Sequence, residues 1–102
     1  MIGVIVTFRY DHPIDRAAVA GIAHDASDRF RGMPGLRSKV FTIDRERDEA
    51  TNVYIWEDEQ AARAFFSDAL IERVAGLYGV RPTVRFLDVA ELVDNAPAAS
   101  QS

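Results

Sequence analysis

Ile2, Val4, Val6, Phe8 and Tyr10 alternate with Gly3, Ile5, Thr7 and Arg9 at the start of the chain. Period-2 alternation rich in β-branched and aromatic side chains predicts a strand, which Asp11-His12-Pro13 ends. Val19, Ile22, Ala23, Ala26, Phe30 and Met33 then recur at three- and four-residue spacing. That is one apolar stripe of a helix, with Asp15 as its N-cap; Gly32 and Pro34-Gly35 stop it. A second strand is predicted from Leu36 to Ile43, with Leu36, Ser38, Val40 and Thr42 on one face and Arg37, Lys39, Phe41 and Ile43 on the other. The charged run Asp44 to Glu49 reads as a hairpin loop. Thr51 to Glu57 reads as a third strand that sets Val53 and Ile55 opposite Tyr54 and Trp56. Asp58 can cap a second helix containing Ala62, Phe65 and Phe66. Ser67 re-caps it, because Leu70, Val74, Leu77 and Tyr78 continue the stripe in a different phase, and Gly79 ends it. A last strand is predicted over Thr83 to Leu92.

The order is β-α-β-β-α-β. It predicts an α+β fold of the ferredoxin-like kind, a four-stranded antiparallel sheet with the helices on one face. One domain is expected over residues 1–95, with 96–102 as a flexible tail. The uncovered sheet face should be polar if it met water, yet whichever face of the third strand is turned outward carries Tyr54 with Trp56 or Val53 with Ile55. A sheet apolar on both faces needs a second cover, and a second copy of the chain is an economical one, so a homodimer is expected. Such an assembly, a dimeric α/β barrel, can enclose an aromatic-lined pocket suited to a flat apolar small molecule.

Composition narrows the function classes. The net charge is −4, from 12 basic and 16 acidic residues, so the basic footprint of a nucleic-acid binder is missing. No stretch approaches the length of a membrane span, and the first ten residues do not read as a signal peptide, so neither membrane nor nucleic acid is expected as a partner and a cytoplasmic location is. There is no cysteine, which removes disulfides, thiolate catalysis and sulfur-ligated metals. His12 and His24 stand twelve apart with no carboxylate at ligand spacing, so no metal site is expected.

Three runs carry a resemblance: Met33-Pro34-Gly35-Leu36, Lys39-Val40-Phe41-Thr42, and Val53-Tyr54-Ile55-Trp56-Glu57-Asp58-Glu59. Ala61, Ala62 and Ala64-Phe65-Phe66, then Leu77-Tyr78-Gly79-Val80 and Phe86-Leu87-Asp88-Val89, extend it over roughly residues 1 to 95. The chain resembles the YdhR-like monooxygenases of the dimeric α/β-barrel superfamily, which includes antibiotic-biosynthesis monooxygenases. The resemblance implies cofactor-independent oxygenation of an aromatic or quinol-type compound, with the deprotonated substrate supplying the electron to oxygen. No cofactor is expected. Haem degradation is not, because the first strand lacks the Asn that haem-degrading relatives use, and Phe65 falls near the position of their Trp.

Seven residues are candidates for the site. Tyr54 is the hydrogen-bonding candidate and His12 the base, since imidazole titrates near neutrality. Trp56 could turn its indole N–H to a substrate oxygen, with core packing as its competing role. Phe41, Phe86 and Tyr10 are candidates for the cavity wall. Arg37, like Arg9, Lys39 and Arg85, would hold an anionic oxygen if it pointed inward; cross-strand ion pairing is the alternative for all four. Two other functions compete on the same fold: a non-catalytic small-molecule binding dimer, and an isomerase or dehydratase that needs only a base.

Overall fold

The computed structural model describes residues 1–95, so the tail expected at 96–102 lies outside the described residues. The elements run β1 (Ile2–Arg9), α1 (Arg16–Phe30), β2 (Leu36–Asp44), β3 (Glu49–Trp56), α2 (Glu59–Phe65), α3 (Asp68–Tyr78) and β4 (Thr83–Asp88). The sheet order is β2-β3-β1-β4, with every neighbouring pair antiparallel. This is the ferredoxin-like arrangement that the β-α-β-β-α-β order predicts.

Register decides which side chains share a face. Ile2, Val4, Val6 and Phe8 of β1 lie opposite Trp56, Tyr54, Asn52 and Ala50 of β3. On the flanks, Lys39 and Phe41 of β2 lie opposite Tyr54 and Asn52, while Phe86 and Val84 of β4 lie opposite Val4 and Val6. This is the helix-covered face, where Val19 of α1, Ala62 of α2 and Tyr78 of α3 join the strand residues in one buried cluster. Tyr54 and Trp56 therefore face the helices, and Val53 and Ile55 lie on the open face with Ile5 and the exposed Val40 and Leu87.

Two features depart from simple periodicity. The β2–β3 register slips between Leu36 and Ser38, so Arg37 is the extra residue of a bulge. Leu36 consequently lies opposite Trp56 and packs against the core, instead of sharing a face with Ser38, Val40 and Thr42. The second helix also divides in two. Phe66 leaves the helical backbone, and the Ser67 hydroxyl accepts from the Leu70 N–H to start α3. In an unbroken helix adjacent side chains diverge by about 100°; the break lets Phe65 and Phe66 both reach the core, with ring centroids 4.9 Å apart. The last strand is shorter than expected and ends at Asp88.

Among the glycines, Gly35 of the Pro34-Gly35 turn has the closest surroundings. Gly35 has φ 81°, its carbonyl accepts from the Glu57 N–H at 2.8 Å, and a Cβ there would stand 3.0 Å from the Ala61 Cβ. Gly79, which ends α3 at φ 83°, has open space around it. Gly79→Ala should therefore cost only the left-handed backbone strain, about 1–2 kcal/mol. Gly35→Ala should cost that plus roughly 1 kcal/mol or more from crowding α2. Urea midpoints at constant slope compare the two; equal losses would show that α2 yields freely to the added methyl.

Candidate functional site

Between the sheet, α1 and α3 lies a cleft whose walls are largely aromatic and aliphatic: Phe8, Phe41 and Tyr54 from the strands, Ile22 and Phe30 from α1, Phe65, Phe66, Leu70 and Val74 from the segment after β3. It leaves about 60 Å³ for the centres of water-sized molecules, several times the roughly 10–15 Å³ that one water needs. Its polar lining consists of Arg29, Lys39, Asn52, Tyr54, Arg73 and Tyr78, and no carboxylate is among the lining residues.

Lys39 is the unusual member. Alternation along β2 turns it to the helix face beside Phe41, where its ammonium lies 3.5 Å from the Phe30 ring centroid, 4.1 Å from that of Phe41 and 4.4 Å from that of Tyr54. Among the described residues it has no ion pair. Ring faces favour the charged form, but burial, helped by the Arg29 charge nearby, brings its pKa down to about 7. It is also the only lysine in the chain, the other eleven basic residues being arginines that keep their charge at any ordinary pH.

The remaining polar groups are held firmly. The buried Asn52 side-chain amide donates to the Tyr78 hydroxyl at 3.3 Å, and the Tyr78 ring stacks on Phe8 with centroids 3.7 Å apart. Burial, with a smaller contribution from Tyr78, pushes the Tyr54 phenol far above its ordinary range. Burial also raises Tyr78, against the lowering effect of the Asn52 hydrogen bond. Both phenols are therefore neutral donors at physiological pH, unsuited to act as bases.

The seven residues singled out from the sequence fall in different places. Tyr54 and Phe41 line the cleft. Trp56 lies beneath, 1% exposed and stacked near Tyr54 at 6.3 Å; its indole N–H has no hydrogen-bond acceptor among the described residues. Phe86 packs against Phe66 on the β4 side, with the Arg63 guanidinium over its ring. Tyr10 donates to the Tyr78 carbonyl at 2.8 Å, bracing the end of α3 from outside the cleft. His12 stands exposed in the turn after β1, with Nδ1 3.1 Å from the Pro13 carbonyl and its ring 5.5 Å from that of Tyr10. Arg37, the bulge residue, pairs outward with Glu57 at 3.3 Å and Asp94 at 3.4 Å. Lys39, considered only as one of four strand charges, and Asn52 and Tyr78, not considered for the site, are what the fold brings together. A lone lysine among arginines, two residues before Phe41 on the same strand face, was the available signal for Lys39.

Among the described residues no group of three or more His, Asp or Glu side chains could hold a metal ion, and no helix is long and apolar enough to cross a membrane.

A lysine whose pKa falls on folding opposes folding while it is charged. Between about pH 7 and 10.5 the unfolded chain holds the proton that the native amine has released, so stability rises with pH through that window, and the opposition is complete below it. Lys39→Met should accordingly raise the melting temperature most at pH 6, with the gain shrinking toward pH 10.5. A gain independent of pH would show that the amine does not titrate near neutrality.

The sequence model of one protein family, described as "Putative mono-oxygenase ydhR", matches residues 4–91. No curated protein matches the chain. Among solved structures, a monooxygenase from the gene ActVA-Orf6 of Streptomyces coelicolor, in complex with the ligand nanaomycin D, is similar with a TM-score of 0.66 and 24% identity, over 93% of this chain and 92% of that one. SnoaB from Streptomyces nogalater, a cofactor-independent oxygenase solved as a point mutant, is similar with a TM-score of 0.63 and 14% identity, over 90% and 95% of the two chains. Rv0793 from Mycobacterium tuberculosis gives 0.63 and 17%, over 93% and 98%. At these identities the structures share the fold, whereas the family match spans most of the sequence: the chain belongs to the ydhR family so described.

Proposed function

We propose that this protein is a cofactor-independent monooxygenase that oxidises an aromatic, quinol- or anthrone-type molecule in the cleft between sheet and helices. The observation that carries the reading is a single amine, Lys39, titrating near neutrality in a cleft walled by aromatic rings. It is supported by the family match and by the similarity to SnoaB, a cofactor-independent oxygenase.

The uncharged Lys39 amine takes the acidic proton of the bound substrate, leaving a carbanion or phenolate. The neutral Tyr54 phenol donates a hydrogen bond to the substrate oxygen that bears the charge, and the Asn52–Tyr78 pair sets the polar wall beside it. The electron-rich anion transfers an electron to dioxygen, and recombination forms a carbon–oxygen bond as a peroxide. Lys39 gives the first proton to the peroxide oxygen; the freed amine then takes the remaining hydrogen of the same carbon as hydroxide leaves, which creates the new carbonyl, and that second proton joins the hydroxide as water. For an anthrone the balance is one CH2 group and one O2 in, one carbonyl and one H2O out. Dry aromatic walls keep bulk water from quenching the anion early. A polycyclic ligand needs more room than the cleft now holds, and the exposed Arg29, Arg73 and Leu77 at its rim are the side chains with freedom to swing aside. His12, exposed at its turn, takes no part in this reading.

The protein is further proposed to work as a homodimer in which the open sheet faces cover one another, burying Ile5, Val53, Ile55, Val40 and Leu87. The cleft itself lies on the helix side of a single chain, so dimerisation shields the sheet without completing the site.

Two measurements test these readings. An oxygen electrode with anthrone and 1,4-naphthohydroquinone should record uptake that falls about 10²-fold or more in Lys39→Met and about tenfold in Tyr54→Phe; undiminished uptake in both would sink the mechanism. Product formation without oxygen would favour isomerisation or dehydration, which the same amine could serve. Sedimentation at micromolar concentration should give twice the chain mass, reduced to the single-chain mass by Val53→Arg; a monomeric parent protein would end the dimer proposal.

A further inference from the structure

The charges around the cleft are distributed unlike those of the chain as a whole. Acidic residues outnumber basic ones, 16 to 12, yet the cleft lining contains Arg29, Lys39 and Arg73 and no Asp or Glu. Six of the twelve cations, Arg9, Arg31, Arg37, Arg47, Arg63 and Arg81, are neutralised by ion pairs. The three at the cleft have none among the described residues, and neither have Arg16, Arg45 and Arg85, which are exposed and lie outside the cleft lining. Arg29 comes from α1 and Arg73 from α3, both exposed, and Lys39 lies deeper on β2. Arg29 and Arg73, joined by Lys39 whenever it is protonated, place like charges around an apolar cavity, and their repulsion is relieved by a negative group placed among them.

We propose that the cleft takes its ligand as an aromatic anion, a flat ring system whose carboxylate or other ionised oxygen is held at the mouth by Arg29 and Arg73, with the rings stacked into the aromatic walls beside Lys39. This names the substrate class of the site proposed above and rests on the cleft being the ligand site. The planar guanidinium groups suit a carboxylate, which accepts two parallel hydrogen bonds. A second consequence concerns Lys39. The charged and titratable groups that share the cleft with Lys39 are Arg29 from α1, Tyr54 from β3, and Arg73 and Tyr78 from α3, all positive or neutral; in the adjoining groove on its other side stand Arg31 and Arg37, paired with Asp28 and Glu57. An anion bound at Arg29 offsets the charge that helps to lower the Lys39 pKa and so favours the ammonium form: an unreactive anion bound above neutral pH draws that proton from solvent, whereas a reacting substrate supplies it as the proton that Lys39 takes. The ligand thereby sets the protonation of the group nearest its rings.

Calorimetry with 2-naphthoate and its neutral isostere 2-naphthylmethanol tests this on the intact protein. The naphthoate should bind at least about fivefold tighter in low salt, the advantage fading as salt rises. Arg29→Gln and Arg73→Gln, both at exposed positions, should each remove most of that advantage while leaving naphthylmethanol within about twofold. At pH 8, heats in buffers of different ionisation enthalpy should show proton uptake with naphthoate, absent in Lys39→Met. Equal affinity for the two probes, or naphthoate affinity indifferent to both arginine substitutions, overturns the proposal even if oxygen is consumed. Selective naphthoate binding in a protein that consumes no oxygen supports it while overturning the oxygenase reading.

Discussion

One face of a four-stranded sheet has to be kept dry by helices too few and too short to seal it side by side, and the aromatic residues answer that constraint. Tyr54 and Trp56 rise from β3, Phe30 comes down from α1, and Phe65 and Phe66 arrive from the last residue of α2 and the turn that follows it. Their rings meet edge to face, tilted or, for Tyr54 and Trp56, stacked, at 4.9–6.3 Å, the separations at which aromatic pairs gain energy beyond burial alone. Large rigid rings fill the volume under the helices near Trp56, while beyond Tyr54 the space between α1 and α3 stays open as the cleft. Core and cavity are two ends of one aromatic layer.

The chemistry of the site follows from what that layer does to polar groups set into it. Low polarity holds the tyrosines protonated and lowers the lysine pKa to about 7, so in the proposed reaction the same environment would supply hydrogen-bond donors and a base from side chains that in water are an inert phenol and an ammonium. Asn52 and Tyr78 satisfy each other, which keeps a buried amide from becoming a destabilising orphan. The indole of Trp56 lacks such a partner among the described residues and contributes through packing with Tyr54, Phe65 and Phe66.

Much of this was written in the chain's alternation, and the departures from it have physical causes. Strand and helix order, the Asp15, Asp58 and Ser67 caps and the Gly79 terminus depend on neighbours a few residues away, so local patterning exposes them. The bulge at Arg37 depends on how β2 docks on β3, and it reverses the face of Leu36 while leaving Lys39 and Phe41 where simple alternation put them. Tyr54 could be chosen from sequence because its strand face was rich in aromatics. His12 drew attention through its chemistry in water, and position within the fold is what separates an exposed imidazole from a lysine enclosed by three rings. Burial of a charged residue on an edge strand is a tertiary property, invisible until the helix that covers it is placed.

The single lysine has a practical side. With eleven arginines and no cysteine elsewhere, the chain offers one side-chain amine to acylating and carbonyl reagents, and that amine sits at the cleft with a pKa of about 7. A fluorophore, spin label or isotopic methyl introduced through lysine chemistry would therefore report on one known position at the site. The composition of this protein has, in effect, already marked its cleft for spectroscopy.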